Sequence, residues 1–341
     1  MKYDVTIGIP VYMVERYIQR SLESALAQSY PSVEFLIVDD CGDDDSINIV
    51  RQIKDRSSRG DEIRILVQPK NMGVAAARNR IIDEAKGEFV FFMDSDDVVV
   101  PDAISLLMEN ARKYDADIVF GSYEKVDMSG STEVHGYPEM HFLEQDSFAA
   151  FCYRKYGGIQ ASACNYIVKT SLLRNCSCRF VDADYWEDFA FTFDLVTKVS
   201  RAITIPYITY SYLCRENSLS HYQQRTAIPK SEVVSTIRVV EHLKATSSVL
   251  EDKPYFSSRC LCIMVADFYI ACNILKRSSD IIPKFSSHEI MQLFAHPATF
   301  RQLMSFRQSF FKNFFFYILG KLPSCCGIGI VWCVGKVKKL L

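Results

Sequence analysis

The sequence predicts an α/β protein: a doubly wound, mostly parallel sheet flanked by helices, followed by a helical C-terminal extension. Three observations carry this. Over the first hundred residues, apolar runs of strand length alternate with segments of helical period, the pattern of βαβ units joined by right-handed crossovers. The run Phe89-Val90-Phe91-Phe92-Met93 is apolar without alternation, as expected of a strand covered on both faces. It ends in Asp94-Ser95-Asp96-Asp97, and the carboxyl end of a strand is where an open α/β sheet binds its ligands.

Taken in order, Val5 to Ile9 is the first strand. A helix from about Glu15 to Gln28 follows, with Ile18, Leu22, Ala25 and Leu26 on one face, and Ser29-Tyr30-Pro31 ends it. Val33 to Val38 is a strand closed by Asp39-Asp40, and Ser46 to Lys54 a helix. Ile63 to Gln68 is a strand, Asn71-Met72-Gly73 a turn and Val74 to Ala85 a helix leading to the strand before Asp94. Beyond it come a helix from Pro101 to Lys113, a strand from Ile118 to Tyr123, and a polar loop or hairpin over 127–140. Strands are expected over Ile159 to Val168 and Ala202 to Tyr212. Between them, Asp184 to Lys198 contains a helix with Trp186, Phe189, Phe193 and Leu195 or Val196 inward. After about Gln223 the pattern turns helical, at Ser231 to Lys244, Phe256 to Leu275 and Ser287 to Leu293. The division expected is 1–222 for the sheet domain and 223–341 for the helical region.

With 341 residues, 49% of them hydrophobic, the chain has material for a sizeable core and for one large domain with an appendage or for two. A net charge of -2 argues against nucleic acid as the main partner. The N-terminus runs straight into a strand, with no signal peptide expected. The twelve cysteines are scattered through apolar patterns, the usage of a reducing compartment. Cys176-Ser177-Cys178 and Cys325-Cys326 lack a second pair at zinc spacing. The last forty residues hold two apolar stretches, Phe310 to Leu319 and Ile328 to Val334, interleaved with Lys and Arg. Both fall short of the roughly 20 residues needed to span a bilayer. They suit either a helix lying at a membrane surface or one docked on the domain.

Clustered carboxylates repel unless a cation or donors compensate. Oxygen-rich sites suit Mg2+ or Mn2+ shared with substrate phosphates, so Asp94, Asp96 and Asp97 are candidate metal ligands. The plain alternative is that Asp96 or Asp97 caps the helix starting near Pro101. Asp39-Asp40 marks a second acidic strand end on the same crevice. Arg78 lies between the two in sequence and suits a phosphate, or else a solvated helix face. The first βα turn has no G-x-G-x-x-G, and no Walker A sequence occurs.

Six short motifs, in order, resemble the family 2 glycosyltransferases of GT-A fold. They are Ile9-Pro10-Val11-Tyr12 with Tyr17-Ile18, Ser24 to Pro31, Ile37-Val38-Asp39-Asp40, Asn71-Met72-Gly73, Ala77-Arg78-Asn79, and Gly87-Glu88-Phe89 through Asp97. The likeness is strong over residues 4–120 and weaker to 222. It implies an inverting transferase with a nucleotide-diphosphate sugar donor, Mg2+ or Mn2+, and a glycan or lipid-linked saccharide acceptor in bacterial surface-polysaccharide or glycolipid assembly. It implies a cytoplasmic location, with the inner membrane face as a further partner. By motif, Pro10, Tyr12, Asp40, Arg78, Asp94 and Ser95 line the nucleotide-sugar site, with Tyr12 and Asp40 on the nucleoside. Asp94 and Asp96 are the DxD carboxylates, beside Asp97. Asp188 of Trp186-Glu187-Asp188-Phe189 is the base; the same acids also suit the first turn of a helix. His221 could reach metal or diphosphate, or simply pack. The chain departs from the family pattern at Met13, where Asn is usual, and at Asp39-Asp40-Cys41-Gly42-Asp43-Asp44-Asp45-Ser46, where Asp-Asp-Gly-Ser-Thr-Asp is usual. The competing reading is a catalytically silent carbohydrate-binding or scaffold protein on the same fold.

Overall fold

A computed structural model describes residues 2–154, 162–215 and 227–341. The expected strand from Ile159 lies partly outside them, and His221 lies wholly outside. The chain forms two compact units. One comprises Met1–Phe148, Ala161–Asp182 and Phe191–Ser218; the other comprises Ala149–Gln160, Ala183–Ala190 and Leu219–Leu341.

The first unit is built on strands β1 (Tyr3–Val11), β2 (Val33–Asp39), β3 (Ile63–Val67) and β4 (Gly87–Phe92), joined by helices α1 (Ile18–Leu26), α2 (Ser46–Arg56) and α3 (Val74–Glu84). After β4 the chain continues through β5 (Val98–Val99), α4 (Ala103–Tyr114), β6 (Ile118–Val126), β7 (Thr132–His135) and β8 (Met140–Phe142). Helix α5 (Ser147–Arg154) leads on towards β9 (Tyr166–Lys169), α6 (Thr170–Asn175), α7 (Glu187–Leu195) and β10 (Ala202–Leu213). The sheet order is β3-β2-β1-β4-β9-β6-β10-β5. Strands β3, β2, β1 and β4 are mutually parallel, whereas β9 runs antiparallel to both β4 and β6. The polar stretch expected as a loop or hairpin contains β7, antiparallel to β6 with Tyr123 opposite His135.

Sequence explains the layering. Every residue of β2 is buried, as are Phe89 to Met93, because helices cover both faces. Gly8 shows how close that covering is: a Cβ there would lie 2.3 Å from Ile81 Cγ2 of α3. The alanines at 75 and 77 are buried on the same helix, and small residues on both partners let it press onto β1. Helix α1 is shorter than expected, beginning at Ile18 rather than Glu15, because residues 13–16 form a loop bonded to the next one.

The second unit is helical. It contains β11 (Ile228–Pro229), α8 (Lys230–Ser247), α9 (Phe256–Lys276), β12 (Ile281–Ile282), α10 (Ser287–Gln292), α11 (Phe300–Met304), α12 (Phe310–Leu319) and α13 (Ser324–Val337). By length and mean hydropathy α9 could cross a bilayer, yet most of it is buried inside the unit. Its buried charges are met from α8: Asp267 pairs with Lys244 at 3.0 Å, and Arg259 donates to Ser247 Oγ at 2.8 Å and Thr246 Oγ1 at 2.9 Å. A buried charge persists when hydrogen-bonded as Arg259 is, whereas burial pushes the Asp267 carboxyl up to about 7 against the pull of Lys244.

Candidate active site

The strand order 3-2-1-4 reverses direction between β1 and β4, which opens a crevice at their carboxyl ends. Gly8 pairs with Phe92 at the end of β4, and Pro10, two residues further along β1, pairs with Val38 of β2. Tyr12 follows β1 into solvent, about half exposed.

After β4 the chain makes a turn in which Asp97 N–H donates to Asp94 O at 3.2 Å. The three carboxylates there have separate fates. Asp94 Oδ1 accepts from Arg78 Nη2 at 2.7 Å. Asp96 Oδ2 pairs with Arg215 Nε. Asp97 is 1% exposed, and its two oxygens accept from Tyr210 Oη at 2.7 Å and Leu213 N at 2.8 Å. Ser95 is buried between them. Burial and the charge of Asp94 push the Asp96 carboxyl up, against the pull of Arg215. Burial first, then Asp94 and Asp96, push Asp97 well up. Asp97 therefore ties the turn to β10, while Asp94 and Asp96 each keep an oxygen that their arginine does not use. The capping alternative does not hold: α4 starts at Ala103 with Asp102 at its N-cap position.

Arg78 is 5% exposed, its guanidinium 5.4 Å from the Phe180 ring. The solvated-face reading is thereby excluded. Its neighbour Asn79 explains how the segment carrying Phe180 is held: Asn79 Nδ2 donates to Phe180 O at 2.9 Å, and Phe180 N donates back to Asn79 Oδ1 at 2.8 Å. Phe180 then stacks on Phe191 at 3.8 Å and meets Phe92 edge-on at 5.3 Å.

Asp40 is buried at the end of β2, and its oxygens accept from Met72 N at 2.8 Å and Gly73 N at 2.9 Å. It thus clamps the loop that opens α3, where Gly73 has φ 85°. Charge-assisted bonds of this kind contribute about 1.5–3 kcal/mol each. Asp40→Ala is expected to raise the donor KM well before kcat falls, and to lower the Tm. Asp40→Asn, which retains one acceptor oxygen, is expected to fall between. A raised KM at unchanged Tm would instead mean that Asp40 acts on the donor without supporting the loop.

Both departures from the family pattern sit in left-handed backbone: Met13 at φ 52° and Cys41 at φ 59°. Asn and Gly adopt that region more readily than Met or Cys, which accounts for the family's usual residues. Asp44, at the place of the usual last Asp of that run and between the additional acids Asp43 and Asp45, has a local task. Asp44 accepts from Ser46 N and Oγ and from Glu15 N. Burial raises its carboxyl, but these donors outweigh that and hold it below the usual range.

Two residues that motif reading does not find complete the cluster. Tyr210 Oη, which donates to Asp97, also accepts from Asp94 N at 3.1 Å. Arg215, besides pairing with Asp96, lies 5.1 Å from the Tyr17 ring. Asp188 belongs to the second unit, in the first turn of α7 with Glu187. Its Oδ1 accepts from Phe189 N at 2.7 Å.

The acidic turn stands at the switch point of a mixed sheet of GT-A type, its carboxylates paired with the buried Arg78 and the part-exposed Arg215. The chain belongs to glycosyl transferase family 2, whose model matches residues 6–175. It is 30% identical over 245 residues to the Escherichia coli UDP-Glc:alpha-D-GlcNAc-diphosphoundecaprenol beta-1,3-glucosyltransferase WfaP, covering 70% of this chain and 88% of that protein. It is 30% identical over 224 residues to the Rhizobium meliloti succinoglycan biosynthesis protein ExoO, covering 64% and 62%. Against relatives from Haemophilus influenzae and Streptococcus pneumoniae the chain spans half of their length or less. The crystal structure of S. aureus TarS 1-349 in complex with UDP-GlcNAc shares the fold, with a TM-score of 0.57 at 17% identity over 93% of this chain and 90% of that one.

Proposed function

We propose that this protein moves a hexosyl or N-acetylhexosaminyl group from a nucleoside-diphosphate sugar to a hydroxyl of a glycan or lipid-linked saccharide. The reaction inverts the anomeric carbon and serves the assembly of a cell-surface polysaccharide. The observation that carries the reading is the pair Asp94 and Asp96 at the switch-point end of β4, each offset by an arginine. The names of the relatives, one a UDP-glucose-dependent transferase and one a polysaccharide biosynthesis protein, support the donor class and the setting.

The donor set fits a divalent cation shared with phosphates. Asp94 and Asp96 offer hard oxygens, as Mg2+ and Mn2+ prefer. No group of three or more His, Cys, Asp or Glu side chains that could hold a metal ion is found among the described residues; a cation at Asp94 and Asp96 would take its other ligands from substrate phosphates and water. Asp94 and Asp96 would hold the cation, whose chemistry there is to stabilise charge on the departing diphosphate. Arg78 and Arg215 supply further positive charge beside the same carboxylates. Asp40 and Gly73 shape the loop ahead of α3, and Asp188 takes the acceptor proton as general base.

The test is a panel of nucleotide sugars measured by calorimetry and by donor hydrolysis, with and without Mg2+ or Mn2+. One or a few donors are expected to bind only with the cation and to be hydrolysed slowly without acceptor. Binding of free sugars or glycans, with none of any nucleotide sugar, would sink the proposal in favour of a carbohydrate-binding protein.

A further inference from the structure

Helices α12 and α13 are docked and exposed at once. Helix α12 buries Asn313, Phe316 and Leu319, with Asn313 Nδ2 donating to Ser257 O at 3.0 Å and to Ser309 O at 3.1 Å. Helix α13 buries Gly327, Val331 and Gly335; a Cβ at Gly327 would lie 2.3 Å from Met291 Cε of α10. Away from these buried residues the two helices carry Phe311 at 84% exposure, Val337 at 81% and Trp332 at 51%, with Phe315 and Ile318 also exposed. Phe311, Phe314, Phe315, Ile318 and Ile330 line an open apolar groove. Apolar surface gathered in this way on a folded protein marks a contact.

The charge around it is one-sided. From residue 290 to the end there is no Asp or Glu, while Arg301, Arg307, Lys312, Lys321, Lys336, Lys338 and Lys339 are all present and exposed. The chain as a whole has 39 basic against 41 acidic residues, so this is a local concentration of positive charge. Lys336 Nζ lies 5.4 Å from the Trp332 ring and Lys321 Nζ 5.6 Å from the Tyr317 ring. Aromatic rings beside cations suit the headgroup region of a bilayer. At 1.5 Å per residue the two helices are about 15 and 21 Å long, short of the roughly 30 Å hydrocarbon core. A second copy of this chain is a poor occupant, because a two-fold interface would set this cationic patch against itself.

We propose that α12 and α13 form a peripheral docking surface for an anionic lipid bilayer. The helices lie in the headgroup plane, Phe311, Phe315, Trp332 and Val337 enter the acyl boundary, and the lysines meet lipid phosphates. This goes beyond the transferase reading and does not depend on it.

Flotation of the full-length protein with vesicles tests it, using 7:3 phosphatidylcholine and phosphatidylglycerol against phosphatidylcholine alone. Binding to the anionic vesicles is expected, weaker by about tenfold or more on neutral vesicles or in 0.5 M salt. Phe311→Ser with Val337→Ser is expected to weaken it by about tenfold or more, with unchanged circular dichroism and Tm because both side chains are mostly in water. Lys338→Gln and Lys339→Gln are expected to cost about fivefold each. Absence of flotation, equal binding to both vesicle types, or equal binding by the Phe311→Ser, Val337→Ser protein would overturn the proposal. So would a concentration-dependent dimer that Phe311→Ser abolishes, which would assign the face to a second copy.

Discussion

Asp188→Asn is expected to keep donor and cation binding and to slow transfer to the acceptor by about 10²–10⁴-fold, the usual worth of general-base assistance. Asn is nearly isosteric, and its carbonyl oxygen can still accept from Phe189 N, so the start of α7 should survive. At neutral pH it cannot take a proton, and the acceptor hydroxyl must then attack unaided. Slow donor hydrolysis should persist, since the groups around the departing diphosphate are untouched. Calorimetry with donor, set beside initial rates with acceptor, separates the two effects. Proton NMR couplings of the new linkage in the wild-type product should show an inverted anomeric configuration. Retention would remove the reason for a single opposite-face base, and Asp188 would lose its role with it.

Asp96→Ala is expected to abolish both transfer and the cation-dependent part of donor binding while the protein stays folded. Asp96 and Arg215 keep 19% and 22% of their side-chain surface in water, so the released guanidinium can be hydrated. Because the pair is mostly buried, losing one partner is expected to lower the Tm as well, though not to unfold the protein. The contrast is with Asp97, whose oxygens are both committed inside the sheet; removing it should show first as a lower Tm. Titration of donor into Asp96→Ala with and without Mn2+ reads the binding. Transfer at near wild-type rates would take Asp96 out of the cation site.

Much of this arrangement was legible in the chain. Strands buried on both faces write themselves as unbroken apolar runs, so β2 and β4 were readable, and with them the acidic residues at their ends. What those acids touch was not. Nothing local announces that Asp40 clamps two amides of a loop or that Asp97 anchors a distant strand. Tyr210 and Arg215 lie 113 and 119 residues from the aspartates that they hold, and no local pattern announces such partners. Helix α13 was half seen, as the run from Ile328. Its first turn holds Ser324, Cys325, Cys326 and Gly327, and the glycine is there because Met291 fills the space. A hydropathy pattern registers the gap and not the side chain that occupies it.

The span of those contacts has a consequence for how the protein is made. A ribosome that has delivered β1 to β4 has already produced Asp94, Asp96 and Asp97, but among the described residues it has supplied only Arg78 as a hydrogen-bond partner for their carboxylates. Tyr210, the Leu213 amide and Arg215 arrive more than a hundred residues later, on and just after β10. Until then the acidic turn has no anchor on its far side. The acidic turn is thus among the last parts of its unit to be anchored during synthesis, so release of a chain broken off before β10 yields the motifs without their far-side partners.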